Sequence, residues 1–464
     1  MTTQVEVAVV GAGPAGLNAA LTAARAGAQV VLFDAYPQPG GQYYKRPPGE
    51  FRPRAQSRRQ RAGEALWRDA MAAGVRFFPQ TTVWGIFDDR ILGVYGPDAP
   101  RWVQAQAVIL APGTYERVPP FPGWTLPGVM TVGGAQVLLK HQRVLPGQRI
   151  ALVGTGPLLL VVAAMLARAG AKVVGVFEAA RPHRGWRHLP AMWGQWVRLA
   201  EGLAARWTLL RHRVPYLTGW GIVRADGDES VREITVARLD DAWRPIPGTE
   251  KQVACDTLCV GYGFVPATQL TRLAGAKHEW RFDRGGEVPV RDRFMQTTVP
   301  GIYAVGDGAG VGGAALAAIE GQIAGWAAAA QVGRISRQRA EQAIERLVPV
   351  LRREQRFQRA YAALFTPGPG IYELADEDTL ICRCEEVPLA RVRWALSMGV
   401  HTTNEVKLVT RCGMGLCQGR ECGHALAHIV AREVGRPVSQ VGLLPPRPPV
   451  FPMPLDAFGD HGRS

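Results

Sequence analysis

Apolar runs of five to eight residues, each cut off by glycine, recur along the chain and predict buried parallel strands. Val5–Val10 is the first such run, and Gly11-Ala12-Gly13-Pro14-Ala15-Gly16 follows it at once. The Ala/Leu-rich stretch 14–26 then reads as a helix closed by Gly27. Gln29–Phe33 reads as a second strand and ends in Asp34, 23 positions after Gly11. The same order returns at 149–153, Gly154-Thr155-Gly156, a helix to about Arg168, and a strand from Lys172 to Phe177 that ends in Glu178. Ala107–Ala111 runs into Pro112-Gly113-Thr114, and Val299–Val305 runs into Gly306-Asp307 before a small-residue helix over 313–330. Residues 333–366 alternate charged and apolar positions at helical spacing, and Thr366-Pro-Gly-Pro-Gly370 ends them. After residue 441 the chain is proline-rich and reads as an extended tail pinned to a partner or to the body of the protein.

Strand, GxGxxG, helix, strand and acid together form a dinucleotide-binding unit. Gly11 permits the tight turn, Gly13 lets backbone approach a pyrophosphate, and Gly16 lets the helix lie close on the strand. The helix N-terminus offers unpaired N–H groups to the phosphates. Asp34 suits ribose hydroxyls and disfavours a 2′-phosphate. In the second unit Leu159 stands where the third glycine belongs, so Gly154, Gly156 and Glu178 hold NAD, another adenine nucleotide, or nothing. Glu178 disfavours NADP there. Asp307, after glycine at a strand end, is placed to bind a ribityl hydroxyl or to cap the helix that follows.

Length, composition and charge narrow the class. The 464 residues are 47% hydrophobic and 20% charged, enough for several domains with full cores. No stretch of about 18 apolar residues lacks a charge or turn, which predicts no transmembrane segment. The start lacks a basic n-region, so the expected location is cytoplasmic. The net charge of +15 is mostly arginine, and only Arg52, Arg54, Arg58, Arg59 and Arg61 form a dense run. No nucleic-acid motif accompanies it, so no nucleic-acid partner is expected; an acidic partner or anionic cofactors fit better. His141, His183, His188, His212 and His278 are isolated, and no acid–base constellation names a catalytic residue.

Five of the seven cysteines, Cys382, Cys384, Cys412, Cys417 and Cys422, crowd the C-terminal region. Such clustering without a secretion signal points to metal or redox chemistry. Four thiolates offset much of the charge of two irons and two sulfides, Gly413, Gly415, Gly419 and Gly423 let N–H groups turn toward sulfur, and Arg411 and Arg420 offset the remaining negative charge. A four-thiolate zinc site is the competing reading, against which Cys-x-Cys is unusually tight. The equal spacing of 412, 417 and 422 leaves Cys412 open as a ligand. Cys255 and Cys259, three residues apart, read as small core residues and not as a redox pair.

The order of Gly11/Gly13/Gly16, Gly40-Gly41-Gln42, Gly113-Thr114 and Gly306-Asp307 resembles the two-dinucleotide-binding-domain flavoproteins related to glutathione and thioredoxin reductases, over about residues 4–330. The resemblance implies an α/β fold with two Rossmann-like domains, and FAD extended across the first. That first domain would comprise 1–140 and 280–332, with a second dinucleotide-binding-like domain at 141–279. Gly40, Gly41 and Gln42 would approach the flavin, and Gly306 and Asp307 would hold the ribityl and pyrophosphate part. A helical linker (333–375), a small helical domain (376–440) and the tail (441–464) would follow. The small domain resembles the bacterioferritin-associated-ferredoxin type of [2Fe-2S] domain, which selects Cys382, Cys384, Cys417 and Cys422 as ligands. The family's Cys-x-x-Cys is missing from residues 1–381, which disfavours disulfide reduction.

The whole chain resembles a narrower group: the A subunits of octopine and nopaline oxidases, the B subunit of hydrogen cyanide synthase, and the alpha subunits of heteromeric dye-linked proline, hydroxyproline and sarcosine dehydrogenases. That resemblance implies an electron-transfer role. The partner would be a flavin beta subunit resembling a D-amino-acid oxidase, with room for a small third subunit and for FMN at the interface. Electrons would leave to a quinone or other acceptor, which admits a peripheral position at the inner membrane. Two rivals are a stand-alone NAD(P)H-dependent reductase and an iron-storage-linked binding protein.

Overall fold

The computed structural model describes residues 2–48, 57–181, 190 and 193–458. Arg52, Arg54, His183, His188 and the last six positions of the tail lie outside the described residues. The first body is built on the strand Thr3–Val10, paired in parallel with Val30–Phe33 on one side and Trp102–Leu110 on the other. Arg76–Phe78 extends the sheet beyond Val30–Phe33. The outer edge of Trp102–Leu110 is shared. Its first half pairs antiparallel with Ile91–Tyr95, which carries Thr82–Phe87, while its last three residues pair in parallel with Ile302–Ala304. Val7, Ala8 and Val9 are fully buried, as expected of a parallel strand covered on both faces.

The second body is a five-stranded parallel sheet centred on Arg149–Gly154. Lys172–Glu178 and Tyr216–Thr218 lie to one side, and Thr257–Gly261 and Val129–Thr131 to the other. A meander of Trp220–Asp226, Glu233–Arg238 and Lys251–Ala254 flanks it. The chain leaves the first body through Thr114–Glu116 and returns through Phe264–Pro266, and these two short strands pair with each other. Val129–Thr131 therefore already belongs to the second sheet, although it precedes residue 141. Leu159, in the place of the third glycine, is buried in a core with Val132, Val162 and Cys259.

The helix Pro14–Arg25 packs on Ala314–Gln331 at backbone distance. A Cβ on Gly321 would lie 2.1 Å from the carbonyl oxygen of Ala15, and one on Gly16 would lie 1.8 Å from that of Gly11. Gly321 is thus required at the helix–helix contact, and Gly16 where the first helix meets its own glycine loop.

Each glycine loop is tied to the acid that ends the following strand. Asp34 Oδ2 accepts from Ala12 N–H at 2.5 Å, and Oδ1 accepts from Tyr36 N–H at 2.8 Å. Glu178 Oε2 accepts from Gly156 N–H and Oε1 from Ala180 N–H, both at 3.0 Å. Glu178 is the more deeply buried, at 1% exposure against 8% for Asp34. Burial outweighs those two N–H donors and pushes the Glu178 carboxyl up from 4.5 to about 7.

The predicted helical stretch 333–366 forms two helices, Arg337–Glu345 and Val348–Phe365. Pro349 lacks an N–H and sits in the first turn of the second helix, where none is needed. The small C-terminal domain pairs Leu380–Cys382 with Val387–Pro388 and adds helices Leu389–Ser397, Thr403–Thr410 and Cys422–Glu433. Its core (Ile381, Leu426, Ile429) is continuous with that of the second body (Trp220, Ile222, Tyr262). The tail returns to the first body, where Val450 N–H donates to the Trp84 carbonyl at 2.8 Å and Phe451 packs on the core beside Val83 and Ile86.

Two outcomes follow from these contacts. Gly321→Leu must push the two helices apart and should destabilise the chain by about 2–4 kcal/mol, read as a lowered urea midpoint. The second concerns Glu178, whose folded pKa is raised above its unfolded value. The folded state then binds the extra proton between about pH 4.5 and 7, so stability should fall as pH rises through that window, by up to ~1.4 kcal/mol per unit. Glu178→Gln should flatten that slope in urea titrations across the window.

Candidate functional site

Sequence-distant glycines converge at the first loop. Gly40 N–H donates to the Ala12 carbonyl at 2.8 Å, and a Cβ on Gly41 would come within 2.9 Å of Gly13 Cα. The Gly40-Gly41-Gln42 turn therefore lies directly on the glycine loop. Gln42 Nε2 donates to the Tyr36 hydroxyl at 3.3 Å, and the Lys45 ammonium sits 4.3 Å over the Tyr36 ring. Gly306, with φ +67°, faces the same loop, since a Cβ there would lie 2.8 Å from that of Ala15. Asp307 Oδ1 accepts from Gly312 and Gly313 N–H at 2.9 and 2.8 Å, which secures the entry to the Ala314–Gln331 helix. Gly308 packs against Pro112, next to Gly113-Thr114. The structure thus gathers Gly11, Gly13, Pro14, Ala15, Gly16, Gly40, Gly41, Gly306 and Asp307 around one cradle, with Asp34 behind it. A glycine-lined cradle at a helix N-terminus, with an acid at the adjacent strand end, fits an extended dinucleotide.

Two arginines and a glutamate complete this cradle. Glu320, 1% exposed, accepts from Gly306 N–H at 2.9 Å and from both terminal nitrogens of Arg291 at 3.0 and 3.2 Å. Arg284 lies 3.6 Å from the same carboxylate. Arg284 and Arg291 carry no motif of their own. A charged Glu320 in the middle of an otherwise Ala-rich helix is the trace they leave in the sequence.

The five C-terminal cysteines meet in three dimensions. The sulfurs of Cys382, Cys412 and Cys422 lie within 4.8 Å of one another, all buried. Cys384 and Cys417 lie equally close to each other and to the Glu421 carboxylate, on the exposed side. Backbone N–H groups reach these sulfurs: Gly413 (3.3 Å) and Glu385 toward Cys382, Gly419 and Glu421 toward Cys417, and Cys417 toward Cys384. Neighbouring thiols donating to them draw Cys382 and Cys417 below the usual thiol range. A thiol trio and a thiol pair at this separation, reached by N–H donors and partly buried, fit a cluster with thiolate ligands.

The glycines of this loop also have a packing role. A Cβ on Gly413 or Gly419 would strike the Leu444 methyl at 2.3 or 2.5 Å, and one on Gly415 would strike Cys384 Cβ at 2.3 Å. Leu444 is held from behind by Arg272, which donates to its carbonyl at 2.8 Å. Of the two arginines, Arg411 pairs with Glu385 at 2.9 Å and its charge is engaged there. Arg420 has no carboxylate partner among the described residues. It donates to the Cys417 carbonyl at 2.8 Å and the Tyr115 hydroxyl at 3.0 Å, and lies 4.0 Å over the Phe451 ring.

Arg117, a buried cation, ties the domains together just beyond the first crossing strand. It donates to the Tyr372 hydroxyl at 2.6 Å and to the Gly285 carbonyl at 2.9 Å, and packs against His424. Burial, with Arg117 adding to it, holds the His428 imidazole down at about 3. These histidines are neutral packing groups of the Cys422–Glu433 helix.

Cys255 and Cys259 are both buried, and burial pushes the Cys255 thiol up to about 11 and that of Cys259 higher still. Both stay protonated, which suits core residues and not an exchanging dithiol. No helix among the described residues is long and apolar enough to cross a membrane.

Residues 5–333 match the family model of pyridine nucleotide-disulphide oxidoreductases, and residues 377–461 match that of the sarcosine oxidase A3 domain. The chain is 37% identical to the HcnB subunit of hydrogen cyanide synthase from Pseudomonas aeruginosa, covering 98% of both chains. It is 33% identical to the opine oxidase A subunit of Agrobacterium tumefaciens, over 97% of this chain and 90% of that one. The crystal structure of L-proline dehydrogenase from P. horikoshii shares the fold at a TM-score of 0.70 and 21% identity, covering 99% of this chain and 80% of that one. The chain therefore belongs to the pyridine nucleotide-disulphide oxidoreductase family, within the group that holds HcnB and the opine oxidase A subunits, and it is an oxidoreductase.

Proposed function

We propose that this chain is the electron-transfer subunit of a heteromeric dehydrogenase that oxidises the C–N bond of an amino acid or opine on a partner subunit. FAD would occupy the first cradle, and a [2Fe-2S] cluster would be held by Cys382, Cys384, Cys417 and Cys422. The observation that supports this reading is the convergence of five thiols, a buried trio (Cys382, Cys412, Cys422) and an outer pair (Cys384, Cys417), with N–H donors, in a chain of flavoprotein fold. A flavin exchanges electron pairs with an amine donor and single electrons with an iron–sulfur centre.

This chain's residues would act by position and charge. Gly11 and Gly13 let the backbone reach the pyrophosphate, Gly16 lets the helix pack close behind it, Asp34 binds the ribose, and Gly306 and Asp307 hold the ribityl and pyrophosphate part. Gly40, Gly41, Gln42, Gly113 and Thr114 would border the flavin ring. Arg420, which meets no carboxylate among the described residues, would offset the thiolate charge. A cavity of about 380 Å³ lined by Cys384, Met414, Leu416, Arg447 and Phe451 would bring an acceptor, quinone or other, up to Cys384. Imine formation would belong to a partner beta subunit resembling a D-amino-acid oxidase, with FMN admitted at the interface.

Purified with its partner, the chain should contain one FAD, two irons and two labile sulfides per copy. Its visible spectrum should bleach on amine addition but not with NADH alone; bleaching by NADH in the isolated chain would favour a stand-alone reductase instead. Cys384→Ser and Cys417→Ser should each lose iron and the reduced-cluster EPR signal. Cys412→Ala should keep both, and loss of the signal there would make Cys412 a ligand.

A further inference from the structure

The helix Val348–Phe365 joins the two dinucleotide bodies on one of its faces. Glu354, 5% exposed, accepts from Gln195 at 3.1 Å and from Arg198 at 2.9 Å, both next to or within the second body's helix Trp196–Arg211. One turn on, Gln358 Nε2 donates to the Val311 carbonyl at 3.0 Å, in the loop that follows Asp307 of the first body. Three residues further, the Tyr361 hydroxyl lies 2.9 Å from the point where a Cβ on Gly156 would stand. A single helical turn, Gln358–Tyr361, thus touches the loop after Asp307 and the second glycine loop together.

The second loop is also satisfied from within. Thr155 N–H donates to the Gly261 carbonyl at 2.6 Å, and Gly156 N–H donates to Glu178. In the first loop the shorter Asp34 reaches only Ala12, one position earlier. The Glu178 carboxylate is itself enclosed, with Tyr216, Tyr262 and Tyr361 all within its electrostatic reach. A dinucleotide needs what these contacts consume: a bare second glycine for its pyrophosphate, a loop N–H, and an acid open to ribose hydroxyls.

We propose that the turn Gln358–Tyr361 closes the second glycine loop against dinucleotides, and that Tyr361 is the residue that decides this exclusion. The phenol stands on Gly156 where a pyrophosphate would approach. The helix carrying it is fastened to both bodies, through Glu354 to the second and Gln358 to the first, which holds the phenol in place. The second body is then a scaffold for the C-terminal domain, and reducing equivalents enter this chain by another route.

The test is NADH binding to the full-length, flavin-loaded chain, followed by calorimetry and by amide hydrogen exchange at residues 154–160. The wild type should show no saturable binding up to about 1 mM NADH. Tyr361→Ala, and Tyr361→Leu, which keeps apolar bulk in the helix, should gain saturable binding at least about tenfold tighter than that limit, with new protection at 154–160. Tyr361→Phe keeps the ring and should stay closed. Saturable NADH binding by the wild type with protection of residues 154–160 would overturn the proposal, whatever the variants do. So would a folded Tyr361→Leu that gains nothing. Neither result depends on the iron content, so failure here is distinguishable from failure of the electron-transfer reading.

Discussion

The architecture depends on backbone meeting backbone without an intervening Cβ. Gly16 lies on the Gly11 carbonyl, Gly41 on the Gly13 Cα and Gly321 on the Ala15 carbonyl, while Gly306 leaves room for the Ala15 methyl. Each contact brings together segments up to about three hundred residues apart in sequence, and any side chain there would hold them apart. The result is a helix N-terminus whose loop can be reached by a large anionic ligand while its flanks are fully packed. Such close approach costs conformational entropy at every glycine, which the burial of the apolar strands beside it offsets.

The two glycine loops show how one motif can be put to different ends. Both are tied to the acid at the end of the next strand. In the first the acid is an aspartate, buried but less deeply, and its carboxylate binds the loop one residue before the second glycine. In the second it is a glutamate, almost fully buried, and one methylene more reaches the N–H of Gly156. Leu159 fills its core where the first loop has Gly16. The helix Val348–Phe365 then rests on the second loop and not on the first. The same chain signature is compatible with an open cradle and with a packed joint, because the difference lies in what covers it.

The C-terminal domain places its thiols by similar means. Leu444 enters the gap left by Gly413 and Gly419, and Gly415 lets Cys384 close on the loop. The tail therefore sets the shape of the cysteine loop before it runs on to the first body. Burial divides the sulfurs into an inner group, sealed in a core shared with the second body, and an outer pair of which Cys384 lines a cavity.

Local pattern was enough to determine the parallel strands, both glycine loops, the acids that follow them and the cysteine clustering. Each depends on residues close in sequence with a strict steric or chemical requirement. Resemblance added the split of the first domain and the order of the parts. What only the tertiary structure decided are the long-range choices: Arg284 and Arg291 on Glu320, Tyr361 on Gly156, Leu444 under the cysteine loop, and Cys412 beside Cys382 and Cys422. Tyr361 and Leu444 carry no local signature, since a tyrosine in an amphipathic helix and a leucine before prolines are ordinary residues. Their roles come from what packing sets against them: Tyr361 meets Gly156, far back in the chain, and Leu444 meets Gly413 and Gly419 across the cysteine loop, and neither separation leaves a periodicity to read.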